Sequence, residues 1–304
     1  MKMNNSHFVR QKSFKIPLFV SSLVLSIGLA GCSSTVPEVE GTLAPLPSSS
    51  SSPTPAPTST RAATAASLKD FDLENADWTF FNGYEIDDII TVSLANGEAT
   101  RNGSQFKMGE VVYSDVNDDG VQDAVASLDR YEGNGLDSQW YVWLADVDKP
   151  EQLQTPIAQS RNCGDFVKNV GAVNGGVKIS EVRRSGEDSA RSCAEGGTGD
   201  VTRTVAVEKN EVSQAWEPVQ TAPTRAYGGV CPAMYAGGYE PGEFELYAMP
   251  SEKSKIASKS GEISGAQLPG ENGTVLGGEP RGWSLVNVVE ADNSMKRCAW
   301  VRTS

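Results

Sequence analysis

Val112-Tyr113-Ser114-Asp115-Val116-Asn117-Asp118-Asp119-Gly120-Val121-Gln122-Asp123-Ala124-Val125 is the stretch that decides the fold. Two β-branched and apolar runs, Gly109 to Tyr113 and Asp123 to Leu128, flank a cluster of Asp, Asn and Gly. That order reads as strand, turn, strand. The same pattern recurs outward along the chain. Trp78 to Phe81 reads as a short strand, and Ile89 to Leu94 as another that runs into Asn96-Gly97, a strong hairpin turn. Gln139 to Leu144 is a dense aromatic strand. Its side chains alternate, with Trp140 and Val142 to one side and Tyr141 and Trp143 to the other. Core packing on both sides explains it, and an exposed aromatic platform for glycan stacking is the alternative. Val177 to Val182, Val201 to Val207, and Val212 to Trp216 after the Lys209-Asn210 turn are further strand candidates. Helical periodicity is hard to find anywhere. The expected fold class is mainly β.

Composition divides the chain. Residues 33 to about 66 interleave Pro37, Pro45, Pro47, Pro53, Pro55 and Pro57 with Ser48 to Ser52 and several Thr and Ala. Charges are few and aromatics absent, so this stretch cannot bury enough to fold and reads as a tether. About 34 residues at ~3.1 Å each reach ~100 Å when extended, or 30–35 Å as a coil. Residues 67–218 read as a β-rich domain beginning near Leu68. Glu217-Pro218 and Thr221-Ala222-Pro223-Thr224 form a polar, proline-bearing joint. Residues 222–304 hold closely spaced short strands, expected at Phe244 to Met249, Ile256 to Lys259, Trp283 to Val289 and Arg297 to Val301. So many short strands in a small unit point to a barrel.

The start of the chain carries Lys2, Arg10, Lys12 and Lys15 with no acidic residue, then a mostly apolar run from Ile16 to Ala30. That is the order of a secretory leader. The run is about 15 residues long, short of the roughly 20 that a membrane-spanning helix needs. It ends in Leu29-Ala30-Gly31-Cys32, which resembles the lipobox of bacterial lipoproteins. The resemblance implies that residues 1–31 are a signal peptide, that cleavage precedes Cys32, and that lipid joins its sulfur and its new amino group. Residues 32–66 are then the lipidated cysteine and tether. The expected location is the cell membrane, outward-facing, with the membrane itself as a partner through palmitate-type chains on Cys32.

His7 is the chain's one histidine, and it lies in the leader. Processed at Cys32, the chain has no imidazole, which removes Ser-His-Asp and Cys-His catalysis and histidine-bearing zinc or iron sites. The whole chain carries 26 basic and 39 acidic residues. The leader takes four of the basic ones and none of the acidic, so 22 against 39 leaves a charge of -17. Such a surface repels nucleic acid. With Cys32 assigned to lipid, Cys163, Cys193, Cys231 and Cys298 remain, an even number in an exported chain, which reads as two disulfides. Three pairings are open. Cys163–Cys193 with Cys231–Cys298 is favoured because each pair stays within one proposed domain. Each would stabilise by roughly 3–5 kcal/mol in the chain-entropy model.

Asp115-x-Asn117-x-Asp119-Gly120-Val121-x-Asp123 is the constellation with chemistry in it. Oxygen ligands at alternate positions around a sharp glycine turn suit calcium. Position twelve of an EF-hand loop would be Ala126, where a bidentate Glu is needed, so it is not an EF-hand. It looks more like the loop of integrin-type repeats, with Asp115, Asn117, Asp119, the Val121 carbonyl and Asp123 as ligands. The alternative is a metal-free turn held by side-chain-to-backbone hydrogen bonds. Ser104-Gln105-Phe106-Lys107 matches Ser-x-x-Lys, without the companion motifs and in a strand context. Tyr227, Tyr235 and Tyr239, in glycine-rich loops before the barrel, are the candidate exposed contact residues.

Residues about 68–217 resemble the exported domain of actinobacterial lipoproteins of the LppP/LprE type. The resemblance is carried by Leu94-Ala95-Asn96-Gly97-Glu98, by the opening stretch above, by Arg161-Asn162-Cys163-Gly164-Asp165 and by Cys193-Ala194-Glu195. It implies an envelope location and no agreed activity. The C-terminal unit is similar to bacterial SH3-like domains, through Glu245-Leu246-Tyr247-Ala248-Met249-Pro250-Ser251, Lys259-Ser260-Gly261-Glu262, Gly282-Trp283-Ser284-Leu285-Val286 and Ala299-Trp300-Val301. It departs from that pattern in its opening strand and in a long insert from Ser264 to Gly278. This resemblance implies binding of peptidoglycan, peptides or proteins rather than catalysis. The expected function is a non-enzymatic, lipid-anchored envelope protein that presents a binding module to peptidoglycan or a protein partner. The alternatives are a hydrolase of envelope polymers that works through carboxylates and a passive structural spacer.

Overall fold

The opening stretch forms a long hairpin. In the computed structural model, which describes residues 68–82, 89–145, 149–184, 188, 190–232, 238–268 and 280–303, strand β4 (Ser104–Ser114) pairs antiparallel with β5 (Asp123–Glu132). The β5 strand pairs with β6 (Gly135–Leu144). With β3 (Glu98–Arg101), β7 (Glu151–Gln152) and β8 (Ala158–Arg161) these make a six-stranded sheet of order β3-β4-β5-β6-β7, in which β8 also pairs with β6. The Asn96-Gly97 and Asn102-Gly103 turns on either side of β3 all adopt positive φ (54°, 78°, 51° and 86°). Asn and Gly tolerate that conformation best, and it matches the strand twist of a tight hairpin.

Both faces of this sheet are buried along Asp123 to Leu128 of β5 and Gln139 to Leu144 of β6, as core packing on both sides of the aromatic strand requires. Ala124, Ala126, Leu128, Tyr141 and Trp143 pack on one side with Leu68, Leu73, Trp78, Phe80 and Phe106. The hairpin of β1 (Asp77–Phe81) and β2 (Ile89–Ser93) covers that side. Trp78 lies edge-on to Trp143, with ring centroids 5.1 Å apart, and such edge contacts add about 0.5–1.5 kcal/mol to area burial. Val125, Trp140 and Val142 pack on the other side against Val170, Val177, Ile179 and Val205. Those four come from a second antiparallel sheet: β9 (Phe166–Val173), β10 (Gly176–Arg183), β11 (Gly199–Lys209), β12 (Trp216–Ala222) and β13 (Ala226–Tyr227), in reverse spatial order.

The third sheet runs β14 (Tyr239–Pro241), β15 (Ile263–Gln267), β16 (Trp283–Glu290), β17 (Arg297–Arg302). It too buries both faces. Val286, Val288, Ala299 and Val301 join Leu246 and Val219 of β12. Leu285, Cys298 and Trp300 join Tyr227 of β13 and Tyr247. The fold is mainly β, its antiparallel sheets including a curled half-barrel. Residues Thr60–Ser304 cluster as one unit, and β12 runs through the segment expected as a joint, with Pro218 opposite Val207.

Three strand expectations are corrected. Phe244 to Met249 and Ile256 to Lys259 form no strands; Tyr247 makes single bridges to Trp300 and Lys255. The Ser254 hydroxyl donates to the carbonyls of Met249 and Ser251 (2.7 and 2.8 Å) and accepts the Met249 N–H, so side-chain bonds replace a ladder here. Val212 to Ala215 is a turn, because Asn210 Oδ1 accepts the Val212 N–H at 2.9 Å and the strand starts only at Trp216.

Candidate functional site

The Asp115–Asp123 loop closes the β4–β5 hairpin, and its side chains are turned onto its own backbone. Asp115 accepts the N–H groups of Asp119 (3.2 Å) and Gly120 (2.9 Å). Asn117 Oδ1 accepts from Asp119 N–H (3.3 Å) and its amide donates to Asp119 Oδ2 (2.9 Å). Asp119 Oδ1 accepts the Val121 N–H at 2.8 Å. Asp118 and Gly120 hold positive φ (59° and 86°). These are side-chain-to-backbone bonds of the kind an Asp/Asn/Gly turn makes. Among the described residues no group of three or more His, Cys, Asp or Glu is arranged to hold a metal ion.

Asp123 is different from the rest of the loop. It is fully buried. One oxygen accepts the Val116 N–H (3.0 Å), and the other accepts the Ala145 N–H at the end of β6 (2.9 Å). It therefore ties the loop to the strand beyond. Burial raises its pKa to about 6, against the two N–H bonds and with help from the negative charges of Asp119 and Asp115.

Two buried ionic clusters were not legible in the sequence. In the first, Glu181 (3 % exposed) accepts from Arg183 Nε and Arg203 Nε, both at 2.9 Å. Arg203 also donates to the carbonyls of Gly228 and Ile157. Arg183 reaches the Lys296 carbonyl at 2.9 Å and lies 3.3 Å from Cys231 Sγ. Burial pushes the Glu181 carboxyl up, but Arg203 and Arg183 outweigh it and hold it at about 2. In the second cluster, buried Asp137 accepts from Arg161 Nε and Nη2 (2.9 and 2.8 Å), Gln159 (2.8 Å) and Gln139 (3.1 Å). Gln139 goes on to the Phe81 carbonyl, and the Tyr141 hydroxyl accepts the Phe81 N–H. Both clusters join elements together, and neither stands open to a substrate.

Of the expected contact tyrosines, Tyr239 is exposed (51 %) and Tyr235 lies outside the described residues. Tyr227 is corrected: it is buried, edge-on to Trp300 at 5.9 Å, because its loop carries the two-residue strand β13 into the third sheet's core. Cys163 lies at disulfide distance from Cys193 (Cα–Cα 4.2 Å) and Cys231 from Cys298 (5.7 Å), the favoured pairing. Ser104 is buried and Lys107 exposed; three residues apart on β4 they point to opposite faces, so the Ser-x-x-Lys match makes no site. Cys32, the leader and the tether lie outside the described residues. Comparison with protein-family models, curated proteins and solved structures finds no match.

Proposed function

We propose that this chain is a lipid-anchored, non-enzymatic protein of the cell envelope, which holds a rigid β unit off the membrane and offers it to peptidoglycan or to an envelope protein. The observation that carries the reading is Leu29-Ala30-Gly31-Cys32 at the end of a basic-then-apolar leader, followed at once by a Pro/Ser/Thr tether. Four remaining cysteines in two pairs at disulfide distance support an oxidising compartment. The fully or nearly buried carboxylates Asp123, Asp137 and Glu181 are each spent on backbone or arginine partners. That supports a non-enzymatic role over a hydrolase with two carboxylates across a cleft. The LppP/LprE-type and SH3-like resemblances agree with an envelope binding protein.

The test has two parts. Metabolic labelling with an alkyne fatty acid should tag the wild-type chain, and Cys32→Ser should lose the tag and leave the membrane fraction. Full-length protein in detergent should then pellet saturably with purified peptidoglycan. An untagged wild type sinks the anchor, and absence of pelleting sinks the wall-binding branch.

A further inference from the structure

Cys231 and Cys298 are 67 residues apart in the chain and at disulfide distance in the fold, and their surroundings differ. Cys298 is fully buried on β17 beside Leu285, Trp300, Tyr227 and Tyr247. Cys231 is half-buried, so of the two it is the one a reagent can reach. The chain on either side of Cys231 is fastened without the sulfurs. The Val230 N–H donates to the Pro156 carbonyl at 3.0 Å. The Pro232 carbonyl accepts from the buried Asn287 amide at 3.0 Å, and Asn287 is directly opposite Cys298. These bonds hold both cysteines in place when the sulfur–sulfur bond opens.

A cation touches the outer sulfur. Arg183 Nη1 donates to Cys231 Sγ at 3.3 Å and to the Lys296 carbonyl at 2.9 Å. The arginine side chain is buried, so solvent and salt screen this contact little. Behind it, two guanidiniums, Arg183 and Arg203, share the single carboxylate of Glu181. The other carboxyl facing them, Asp165, is one that burial pushes up. The charged side chains next to Cys298 are paired elsewhere: Lys296 with Asp292 at 3.7 Å, and Arg297 with Glu290 and Glu262. A guanidinium beside a cysteine favours its thiolate. In a disulfide, that makes the sulfur a better leaving group, and stabilising the reduced pair makes the disulfide a stronger oxidant. A reachable sulfur against a cation, joined to a sulfur in the core, is suited to thiol exchange.

We propose that Cys231–Cys298 is a redox-active disulfide that oxidises a pair of thiols on another chain in the same oxidising compartment. A substrate thiolate attacks Cys231 Sγ, the bond to Cys298 breaks, and Cys298 departs with the electron pair. The second substrate thiol then attacks the substrate sulfur of the mixed disulfide, and its proton ends on Cys298. Cys231 leaves as a thiolate held by Arg183. The substrate dithiol becomes a disulfide, and its two electrons rest in the Cys231 and Cys298 pair. This chemistry goes beyond the envelope reading above and is independent of wall binding.

The experiment uses full-length oxidised protein in detergent. Mixed with reduced glutathione, quenched with acid and mapped by mass spectrometry, the wild type should carry glutathione on Cys231 and none on Cys298. A reduced peptide with two cysteines, offered in equal amount, should be oxidised by the wild type and not by Cys231→Ser. Cys298→Ser leaves Cys231 as a free thiol, whose ultraviolet thiolate absorbance is followed against pH. Its midpoint should lie near or below about 7, against about 8.5 for an unperturbed cysteine. Adding Arg183→Gln should raise that midpoint by at least about one pH unit, and Arg183→Lys, which keeps a cation, should raise it less. A peptide left reduced by the wild type, glutathione on Cys298 in place of Cys231, or a midpoint less than about one unit below 8.5 overturns the proposal. If circular dichroism shows that a variant is misfolded, the glutathione map and the peptide oxidation by the wild type decide alone.

Discussion

Replacing Glu181 with Gln should be one of the most damaging single-atom changes in this protein. The carboxylate is 3 % exposed and takes Nε of Arg183 and Nε of Arg203, each at 2.9 Å, with Arg203 Nη2 at 3.5 Å on its second oxygen. Glutamine keeps the volume and one acceptor. It also points an NH₂ at a guanidinium and leaves two arginines without their negative charge in a dry site. Removing one partner of such a pair costs about 3–5 kcal/mol. Asp165 softens the loss. It faces the same two arginines, and burial raises its pKa in the wild type, with Arg183 and the Arg184 N–H opposing. Taking away Glu181 removes a repelling charge and adds unshared cations, so Asp165 ionises more readily. The expected cost is therefore near ~3 kcal/mol, measured as a fall in urea midpoint by circular dichroism with the slope m unchanged. The pH dependence gives a second reading. Glu181 is lowered in the fold, to about 2 from 4.5, so its contribution is fully present above pH 4.5 and lost as pH falls toward 2. Glu181→Gln should lose stability less steeply across that window. A cost under about 1 kcal/mol at pH 7, or an unchanged acid limb, would show that the cluster is wet or differently paired.

Three further outcomes are expected. Asp123 is raised in the fold to about 6 from 3.8, so the stability it favours is present below pH 3.8 and lost as pH rises through 6; relative to Asp123→Asn, the wild type should lose up to ~3 kcal/mol between pH 4 and 7.5, and parallel pH profiles in urea melts would refute this. Native alkylation after mild dithiothreitol treatment should label Cys163 and Cys193, which are exposed, well before Cys298, which is fully buried; the reverse order would contradict the packing of the third sheet. Millimolar calcium should move the melting temperature by no more than about 1 °C against a chelated control, because the side chains of Asp115, Asn117 and Asp119 are already bonded to backbone N–H groups; a rise of several degrees, reversed by chelator, would mean the loop rearranges around the ion.

Strands whose partners were close in sequence and whose turns carried Asn-Gly or Asp-Gly were legible from residues alone. Examples are β1, β2, β5 and β6, where β-branched or aromatic runs meet such dipeptides; β16 and β17 were legible from their apolar runs, joined by a turn with Asn293 at positive φ. The exception is β9, which pairs with β10 across the Asn174-Gly175 turn. In Phe166-Val167-Lys168-Asn169-Val170-Gly171 the strand formers are diluted by Lys, Asn and Gly, and of this stretch it is Val170 that drops into the core. The Asp115–Asp123 loop was legible as a turn or a calcium loop, but choosing between them needs to know where the carboxylates aim, which spacing does not state.

The alternation rule misassigns inside and outside where both faces of a sheet are covered. In Glu181-Val182-Arg183 a sequence reader turns Val182 inward and the charges to water, because isolated charges are rarely buried. The structure does the opposite: Glu181 and Arg183 are buried and Val182 is half-exposed. The inversion follows from Arg203, directly opposite Ile179 on β11 and so on the same inner face. Once its guanidinium lies in the interior, a carboxylate two residues along β10 is the nearest charge that can neutralise it. Arg183 then carries the cluster outward to the Lys296 carbonyl beside β17. The same logic places Asp137 between Arg161 of β8 and Arg130 of β5. In each case a buried charge is affordable only because a partner from another strand meets it. Such residues therefore fix which strands pair and in what register, so substituting either partner alone should harm the fold more than replacing both with apolar groups of similar volume.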